Sequence, residues 1–151
     1  MSLLYNMYTR KINDIENLIY ECYSLDNKLT NDYCRRRKEG FAACCNDSIT
    51  LLKDPNVEVF GIFDEGEFVG YFAVGTVKNE KELPGFFIVP EYRNRKNEVW
   101  NVIVKHMDGT FYNAIYINNK PAIEFCRKRG KEINSVDYEN ETHVIFEFKG
   151  E

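Results

Sequence analysis

The spacing of apolar residues changes at Pro55, and this change constrains the fold more than any other feature of the chain. Before Pro55 apolar residues recur every three or four positions, which predicts one helix from Asn13 to Asp26 and a second from about residue 31 to residue 54. Asn13 is the predicted N-cap of the first helix, with Glu16 as its reciprocal partner three positions later. After Pro55 the period falls to two residues, which is typical of strands. The chain therefore combines helices with a sheet.

The first strands are predicted to be antiparallel neighbours. Residues 57–63 and 68–77 form two predicted strands joined by a tight turn, in which Gly66 is free to adopt a positive φ. A third predicted strand ends at residues 86–89. Within it Pro84 and Gly85 predict a bulge or a sheet edge, because proline cannot donate a hydrogen bond to a neighbouring strand.

Helices and strands alternate in the second half of the chain. The predicted elements are a helix over residues 94–107, a strand over 111–117, a short helix over 121–129 and strands over 133–138 and 143–148. Asp108-Gly109 and Gly130 are the predicted ends of the two helices, because glycine suits the residue after a helix. Asn118 or Asn119 is the predicted cap of the short helix.

This order predicts the fold class. A strand, a helix and a following strand call for a right-handed crossover between parallel strands, whereas the earlier hairpin is antiparallel. We therefore predict an α/β fold of mixed α+β character, in which a mixed central sheet is flanked by helices. With 151 residues, the chain is expected to form a single domain spanning residues 1–151.

Charge and composition exclude several classes of function. Lys and Arg number 20 against 24 Asp and Glu, and the net charge of −4 has the wrong sign for most proteins that bind nucleic acid. No apolar run approaches the ~20 residues of a membrane span. The five cysteines are odd in number and lack metal-ligand spacing, and there are two histidines, so we expect no metal site. Reduced cysteines favour a cytoplasmic protein. The net charge and the lack of a long apolar run predict no nucleic-acid or membrane partner.

Two segments, together with the order of elements, resemble the GNAT superfamily of N-acyltransferases. Residues 87–95 read FIVPEYRNR and precede an amphipathic helix, which is similar to the family's strand, its Pro-x-Tyr-Arg turn and the start of its pyrophosphate-binding helix. Residues 119–130 read NKPAIEFCRKRG, which is similar to the family's Asn-x-x-Ala helix. The order of elements extends the resemblance over most of the chain and implies the GNAT-like acyl-CoA N-acyltransferase fold.

The resemblance implies an N-acyltransferase that moves an acetyl or other acyl group from acyl-CoA to an amine. Acetyl-CoA or another acyl-CoA is then the cosubstrate, and the acceptor is a small-molecule or peptide amine that no motif identifies. Main-chain donors near Ile88 and Val89 would stabilise the oxyanion. Asn119 would contact the pantetheine arm, or it would instead cap the short helix. The full set implied to bind acyl-CoA is Ile88, Val89, Arg93, Asn94, Arg95, Lys96, Asn97, Glu98 and Asn119.

The phosphate-binding loop departs from the family pattern. The family reads Arg/Gln-x-x-Gly-x-Gly/Ala, and main-chain N–H groups of this loop face a pyrophosphate. Here Lys96 and Glu98 occupy the two small positions, which adds bulk and a negative charge beside an anionic ligand. Two unit charges about 4 Å apart repel by about 4 kcal/mol at an effective dielectric near 20. Arg93, Arg95 and Lys96 offset part of this repulsion.

Three residues are candidates for proton transfer. Glu82, near the start of the third strand, is the candidate base for the amine, or else a solvated charge. Cys126 occupies the position of the family's tyrosine acid. Its thiol has a lower reference pKa than a phenol, but it is shorter, and the alternative is a small buried residue. Tyr116 is a substitute acid, as are Tyr92 and Tyr112, or else these tyrosines belong to the core.

Two other functions stay open at this point. A GNAT-fold protein that has lost acetyl-CoA binding would be a catalytically inactive binding or interaction protein. A retained cleft would alternatively take a ligand without a pyrophosphate. Lys96, Glu98 and Cys126 favour these alternatives, whereas Arg93 and Asn119, with their neighbours, favour the enzyme.

Overall fold

The computed structural model describes residues 7–26, 40–138 and 140–151, which form one sheet with helices packed on both faces. The 3₁₀ helix Pro90–Arg95 leads directly into an α-helix. In chain order the elements are β1 (Met7–Lys11), α1 (Ile15–Leu25), α2 (Phe41–Leu52), β2 (Val57–Asp64), β3 (Glu67–Val77), β4 (Glu80–Ile88), the 3₁₀ helix, α3 (Lys96–Met107), β5 (Thr110–Tyr116), α4 (Lys120–Arg127), β6 (Lys131–Tyr138) and β7 (Glu141–Lys149).

The seven strands lie in the order β1-β2-β3-β4-β5-β7-β6. All neighbours are antiparallel except β4 and β5, which are parallel and are connected through α3. The last hairpin inserts β7 between β5 and β6. The prediction of a mixed central sheet flanked by helices is confirmed.

The predicted helices are present, but several ends differ. Asp14 rather than Asn13 caps α1, because its Oδ1 atom is the one that accepts a hydrogen bond, from the Asn17 N–H at 3.2 Å. Glu16 pairs instead with Lys53, the residue that follows α2. Part of the second predicted helix, residues 31–39, lies outside the described residues. The helix predicted from residue 94 is preceded by the 3₁₀ helix and becomes α-helical at Lys96.

Strand β1 is absent from the sequence prediction. It pairs with β2 from Met7 opposite Asp64 to Lys11 opposite Phe60. Of its five residues only Met7 is buried, and the others are half-buried or exposed. Such a short edge strand carries too little hydrophobic alternation to be recognised in the sequence.

The predicted bulge in β4 is confirmed. Between the pairs Ala73–Gly85 and Gly75–Glu82, β4 carries one residue more than β3, and Pro84 lies in this interval. A bulge of this kind locally interrupts pairing and bends the strand that contains it. The bend therefore lies in β4, the strand on which the sequence analysis places Glu82 and the predicted main-chain donors.

Two hydrophobic clusters cover the two faces of the sheet. The first lies against α3 and α4, and its fully buried aromatic side chains are Phe72, Phe111, Phe146 and Phe148. The second lies against α1 and α2 and includes Leu18, Ile19, Cys22, Cys45, Val59 and Tyr71. Across residues 7–26, 40–138 and 140–151, no helix combines the length and hydrophobicity needed to cross a membrane.

Candidate active site

Strands β4 and β5 lie side by side for a short distance and then separate. They pair only where Lys81 lies beside Phe111 and Glu82 beside Tyr112, although both strands continue for several more residues. The bulge in β4 follows the last pair directly, which gives the local reason for the separation. We call the space between the two strands beyond Glu82 the strand gap.

The register of β3 and β4 decides which main-chain groups of β4 face the strand gap. The Val89 N–H donates to the Val69 carbonyl at 2.9 Å, and hydrogen-bonding positions alternate along an antiparallel strand. Val89 and Phe87 therefore turn their main-chain groups toward β3. Phe86 and Ile88 turn theirs toward the gap. The Val89 amide is already bonded to β3, whereas the Ile88 amide is directed into the gap.

Arg93 lies at the end of β4 and has protein partners of its own. Its Nε donates to the Ile88 carbonyl at 3.0 Å, and its Nη2 lies 2.6 Å from Asp26 Oδ2. The guanidinium also stands 5.6 Å from the centre of the Phe87 ring. With 45% of its side chain exposed, Arg93 still presents charge to solvent beside the gap.

Arg95 compensates the charge of Glu98. Its Nη1 lies 3.0 Å from Asp64 Oδ2, and its Nη2 lies 2.8 Å from Glu98 Oε2. Hydrogen bonds to Glu98 and Asp64 raise the pKa of Arg95, so the guanidinium is permanently charged. Glu98 therefore does not stand as an uncompensated charge beside an anion site, and the repulsion expected for an inward-facing Glu98 is offset.

The N-terminal end of α3 and the helix α4 enclose a cleft of about 440 Å³, which we call the cationic cleft. Lys96, Lys128 and Arg129 line it, against the single carboxylate of Glu124. No side chain caps the first turn of α3, so the partial positive charge of the helix end adds to this field. The cleft is therefore suited to an anion.

Arg129 links the two sides of the cationic cleft. Its Nη1 donates to the Phe125 carbonyl at 2.9 Å, and its guanidinium lies 3.6 Å from the centre of the Phe125 ring. Its Nη2 donates to Asn97 Oδ1 at the start of α3. Sequence reasoning missed Arg129 because it is one of three consecutive cations after Cys126, and sequence alone does not show which of them turns toward α3.

Of the three predicted asparagines, one lines the cationic cleft. Asn97 lines it and accepts the bond from Arg129. Asn94 is exposed within the 3₁₀ helix. Asn119 is the N-cap residue of α4, but its side chain makes no capping hydrogen bond. The prediction that Asn119 caps α4 is therefore correct about its position at the start of the helix, but its side chain does not form the capping hydrogen bond.

Three polar side chains form a row where the strand gap opens. Glu82 lies beside Tyr112, and Tyr112 lies opposite Glu147. Residues at the same level of adjacent strands project from the same face of a sheet. The Tyr112 hydroxyl donates to Glu147 Oε2 at 3.3 Å, and partial burial and the Glu147 carboxylate raise the pKa of Tyr112. Tyr112 therefore carries its proton at neutral pH beside the candidate base.

The other predicted acids have different surroundings. Cys126 is 4% exposed within the cluster against α3 and α4, and burial raises the pKa of its thiol to about 11. Cys126 is therefore a small core residue, which was the alternative interpretation of this position. Its burial keeps the thiol away from a reacting group. Tyr116 lies at the last position of β5, where its hydroxyl accepts a hydrogen bond from Asn118 Nδ2 at 3.0 Å.

Tyr92 lies toward the turn between β2 and β3. Its hydroxyl is 3.4 Å from both Asp64 Oδ2 and Glu67 Oε2. Partial burial and these two carboxylates raise its pKa. Tyr92 therefore contacts a carboxylate-rich region and not the row at Glu82. Among the described residues, no group of three His, Cys, Asp or Glu side chains has an arrangement that holds a metal ion.

The structure is similar over nearly its whole length to solved acetyltransferases. An acetyltransferase from Thermus thermophilus shares 16% identity with a TM-score of 0.67, over 97% of this chain and 98% of that chain. A chimera of the spermidine N-acetyltransferase SpeG from Vibrio cholerae and hSSAT shares 12% identity with a TM-score of 0.66, over 95% of each chain. The PaiA N-acetyltransferase from Thermoplasma acidophilum, solved with coenzyme A, shares 19% identity with a TM-score of 0.55, over 99% of each chain.

These similarities establish that the chain has the GNAT acetyltransferase fold. The search against protein-family models found no match, and the search of curated proteins found none either. The fold implied by the two sequence segments is therefore confirmed by structural similarity.

Proposed function

We propose that this protein is an acyl-CoA-dependent N-acyltransferase that transfers an acetyl or other acyl group to an amine. The strand gap carries the proposal. The main-chain groups of Phe86 and the amide of Ile88 face a space where β5 does not pair with them, while the Ile88 carbonyl already accepts from Arg93. Such groups need hydrogen-bonding partners, and an extended ligand with its own amides supplies them as an added strand would. The pantetheine arm of acyl-CoA is such a ligand.

The cationic cleft supports the same ligand at its phosphate end. Lys96, Lys128 and Arg129 present three positive charges, and no side chain caps the first turn of α3 beside them. Phe125 adds an aromatic surface to the lining. These residues replace the small residues of the usual phosphate loop with side-chain charge. When bound there, acyl-CoA supplies an activated thioester carbonyl.

The row at the opening of the gap provides the proton transfers. Glu82 is the proposed base that accepts the proton of the attacking amine. Tyr112, which is protonated and oriented by Glu147, is the proposed acid for the leaving thiolate. It is preferred to Tyr116 because it lies directly beside Glu82 where the strands part. The Ile88 amide, six residues along β4 from Glu82, is the proposed donor to an amide carbonyl of the pantetheine arm.

The structural neighbours support an amine acceptor and a CoA thioester. One is a chimera of a spermidine N-acetyltransferase, and another is an N-acetyltransferase solved with coenzyme A. The four described cysteines, Cys22, Cys44, Cys45 and Cys126, are buried and in the reduced thiol form. Reduced thiols suit a reducing compartment, and we place the reaction in the cytoplasm.

Thermal unfolding with and without acetyl-CoA tests the proposal. A ligand at a hundred times its dissociation constant adds about 2.7 kcal/mol to the free energy of unfolding. Replacing Lys96 and Arg129 together by glutamate should abolish this gain, because it reverses the charge of the cationic cleft. Lys105→Glu is the matched control, since Lys105 lies in the last turn of the same helix. Absence of any gain at millimolar acetyl-CoA would refute the proposal.

One observation favours a second candidate function, a non-catalytic binding protein. Arg93, Arg95 and Arg129 already have bonding partners within the protein, so an incoming phosphate must compete for them. In that case the folded protein shows no acetyl-CoA stabilisation, and charge reversal at Lys96 and Arg129 leaves its unfolding temperature independent of the ligand.

A further inference from the structure

The guanidinium of Arg129 lies flat on an aromatic ring in the cationic cleft. Its Cζ atom is 3.6 Å from the centre of the Phe125 ring. Each guanidinium nitrogen is about 1.3 Å from Cζ, so a guanidinium standing on edge would put a nitrogen well inside van der Waals contact with the ring. The plane of the guanidinium therefore lies against the plane of Phe125.

Hydrogen bonds and core packing hold this plane in place. Nη1 of Arg129 donates to the Phe125 carbonyl at 2.9 Å and Nη2 donates to Asn97 Oδ1, so a rotation of the guanidinium would break both bonds. The Phe125 ring packs edge-on against Trp100, whose side chain is 7% exposed, with ring centres 5.4 Å apart. Because Phe125 covers one face of the guanidinium, the face that lines the cleft is the other one.

The open face of Arg129 suits a planar ring better than a phosphate. The N–H groups of a guanidinium point outward in its own plane, and a phosphate binds along these directions. Two of these groups are already bonded to Phe125 and Asn97. Nucleobases, in contrast, stack on guanidinium planes and aromatic rings. Arg129 therefore offers the cleft a rigid platform for a base.

The two lysines of the cleft remain for phosphate. Lys96 is the first residue of α3, and Lys128 follows the last residue of α4. Both are exposed, and neither forms an ion pair with a described carboxylate. The cleft therefore combines two uncompensated cations with a separate stacking surface.

A single carboxylate lies in this otherwise cationic lining. Glu124 is exposed and forms no ion pair with a described lysine or arginine, although Lys128 lies four positions later. A carboxylate repels a phosphate, but it accepts a hydrogen bond from the exocyclic amine of a base. Glu124 therefore favours a base that carries such an amine, as adenine does, over one with a carbonyl oxygen in its place.

We propose that the cationic cleft is an adenine-nucleotide site in which the Arg129 plane stacks on the base and Glu124 accepts from its exocyclic amine. Lys96 and Lys128 bind the phosphates. The role of this site rests on the proposed function, because acyl-CoA contains adenosine 3′,5′-bisphosphate. Arg129 and Glu124 then make the protein specific for CoA thioesters over thioesters of carriers that lack the base. The cleft volume of about 440 Å³ is typical of a small-molecule site.

Isothermal titration calorimetry of the full chain with adenosine 3′,5′-bisphosphate and with inorganic pyrophosphate tests the site without a thioester. Arg129→Lys keeps the charge and removes the plane. It should therefore weaken nucleotide binding roughly tenfold and pyrophosphate binding by less than about twofold. Arg127→Lys is the matched control and should leave both affinities unchanged, since Arg127 lies on the same helix and pairs with Glu132 outside the cleft lining.

Inosine 3′,5′-bisphosphate, which has a carbonyl oxygen in place of the amine, tests Glu124. The unchanged protein should bind it roughly three- to tenfold more weakly than the adenosine compound, because a hydrogen bond to an exposed carboxylate is lost. Glu124→Gln, whose amide both donates and accepts, should bring the two affinities within about twofold of each other. Equal affinities in the unchanged protein, or equal weakening of nucleotide and pyrophosphate by Arg129→Lys, overturn the adenine site.

Competition with acetyl-CoA separates this site from the proposed function. Displacement of the nucleotide by acetyl-CoA, with both weakened in Arg129→Lys, supports the site as the nucleotide end of acyl-CoA. Nucleotide binding that depends on Arg129 but is not displaced by acetyl-CoA supports a site for a free adenine nucleotide and counts against the acyltransferase alone. Stabilisation by acetyl-CoA that Arg129→Lys leaves unchanged supports the acyltransferase and overturns the adenine site. Urea unfolding of each variant verifies that it is folded.

Discussion

Gly70→Ala should displace the strand that lines the gap. A Cβ atom at this position would lie 2.1 Å from the Phe87 carbonyl oxygen and 3.1 Å from the Ile88 Cα. A comfortable carbon–oxygen contact is roughly 3.3 Å, so β4 must move by about 1 Å. Overpacking of this kind costs about 1–3 kcal/mol. We expect a loss near 3 kcal/mol, because the obstructing atoms are main chain and cannot rotate away.

Urea unfolding measures this loss through the fluorescence of Trp100, the single tryptophan of the chain. Trp100 is 7% exposed and lies 5.0 Å from the Phe148 ring in the core, so its emission reports global unfolding. For a chain of this size, 3 kcal/mol corresponds to roughly 6–12 °C in unfolding temperature. Because β4 is displaced in Gly70→Ala, acetyl-CoA should no longer raise the unfolding temperature of this variant.

Gly75→Ala is the matched control, because Gly75 lies on the same strand and also faces β4. Its Cβ would meet Pro84 Cγ at 3.6 Å, an ordinary contact. A glycine replaced by alanine without strain gains about 0.4–1 kcal/mol from the unfolded state. If Gly70→Ala unfolds at the same urea concentration as Gly75→Ala, the close approach of β3 and β4 at Gly70 is wrong.

Four further predictions follow from the site and the core. Glu82→Gln should lower the rate of acyl transfer about 10²–10⁴-fold and leave acetyl-CoA stabilisation intact; loss of both together would contradict its role as base. Tyr112→Phe should lower kcat with little change in the KM for acyl-CoA, and an unaffected kcat would return the acid role to Tyr116. Phe111→Ala should cost about 3–5 kcal/mol in urea unfolding, because Phe111 is fully buried; a cost below about 1 kcal/mol would contradict its burial. His106 is exposed, but contact with the Phe60 ring partly desolvates its imidazole and lowers its pKa, so a small contribution to stability is present above the usual pKa of about 6.5 and is lost as pH falls through the lowered value. Unfolding temperatures measured from pH 7 to pH 5 should therefore fall less in His106→Gln than in the unchanged protein, and identical pH profiles would disprove this.

Patterns that depend on neighbouring residues could be predicted from the sequence. The stripe that contains Val99, Trp100 and Ile103 is buried as expected for one face of a helix. The turn between β2 and β3 has Gly66 at a φ of 87°, as its position in a tight hairpin predicted. The bulge at Pro84 followed from the missing N–H of proline. Each of these signals is contained within a few consecutive residues.

The proposed acid shows why the sequence could name candidates for the site but could not select among them. The motif directed attention to Cys126, whereas the side chain beside Glu82 is Tyr112. A parallel pair joins residues from strands that are separated by a whole helix, and no local spacing records which residues it aligns. The edge strand β1 was missed for a similar reason, since its partners lie roughly fifty residues later in the chain.

Local periodicity and turn chemistry thus predicted the described elements other than β1 and the 3₁₀ helix, and two short motifs carried the GNAT resemblance, because these depend on which residues follow one another. Orientation and charge compensation were not accessible in this way. Whether Val89 or Ile88 faces the gap depends on the register with β3, and whether Glu98 repels an anion depends on Arg95. Both are properties of distances between chain segments, and those distances exist only after the sheet has formed.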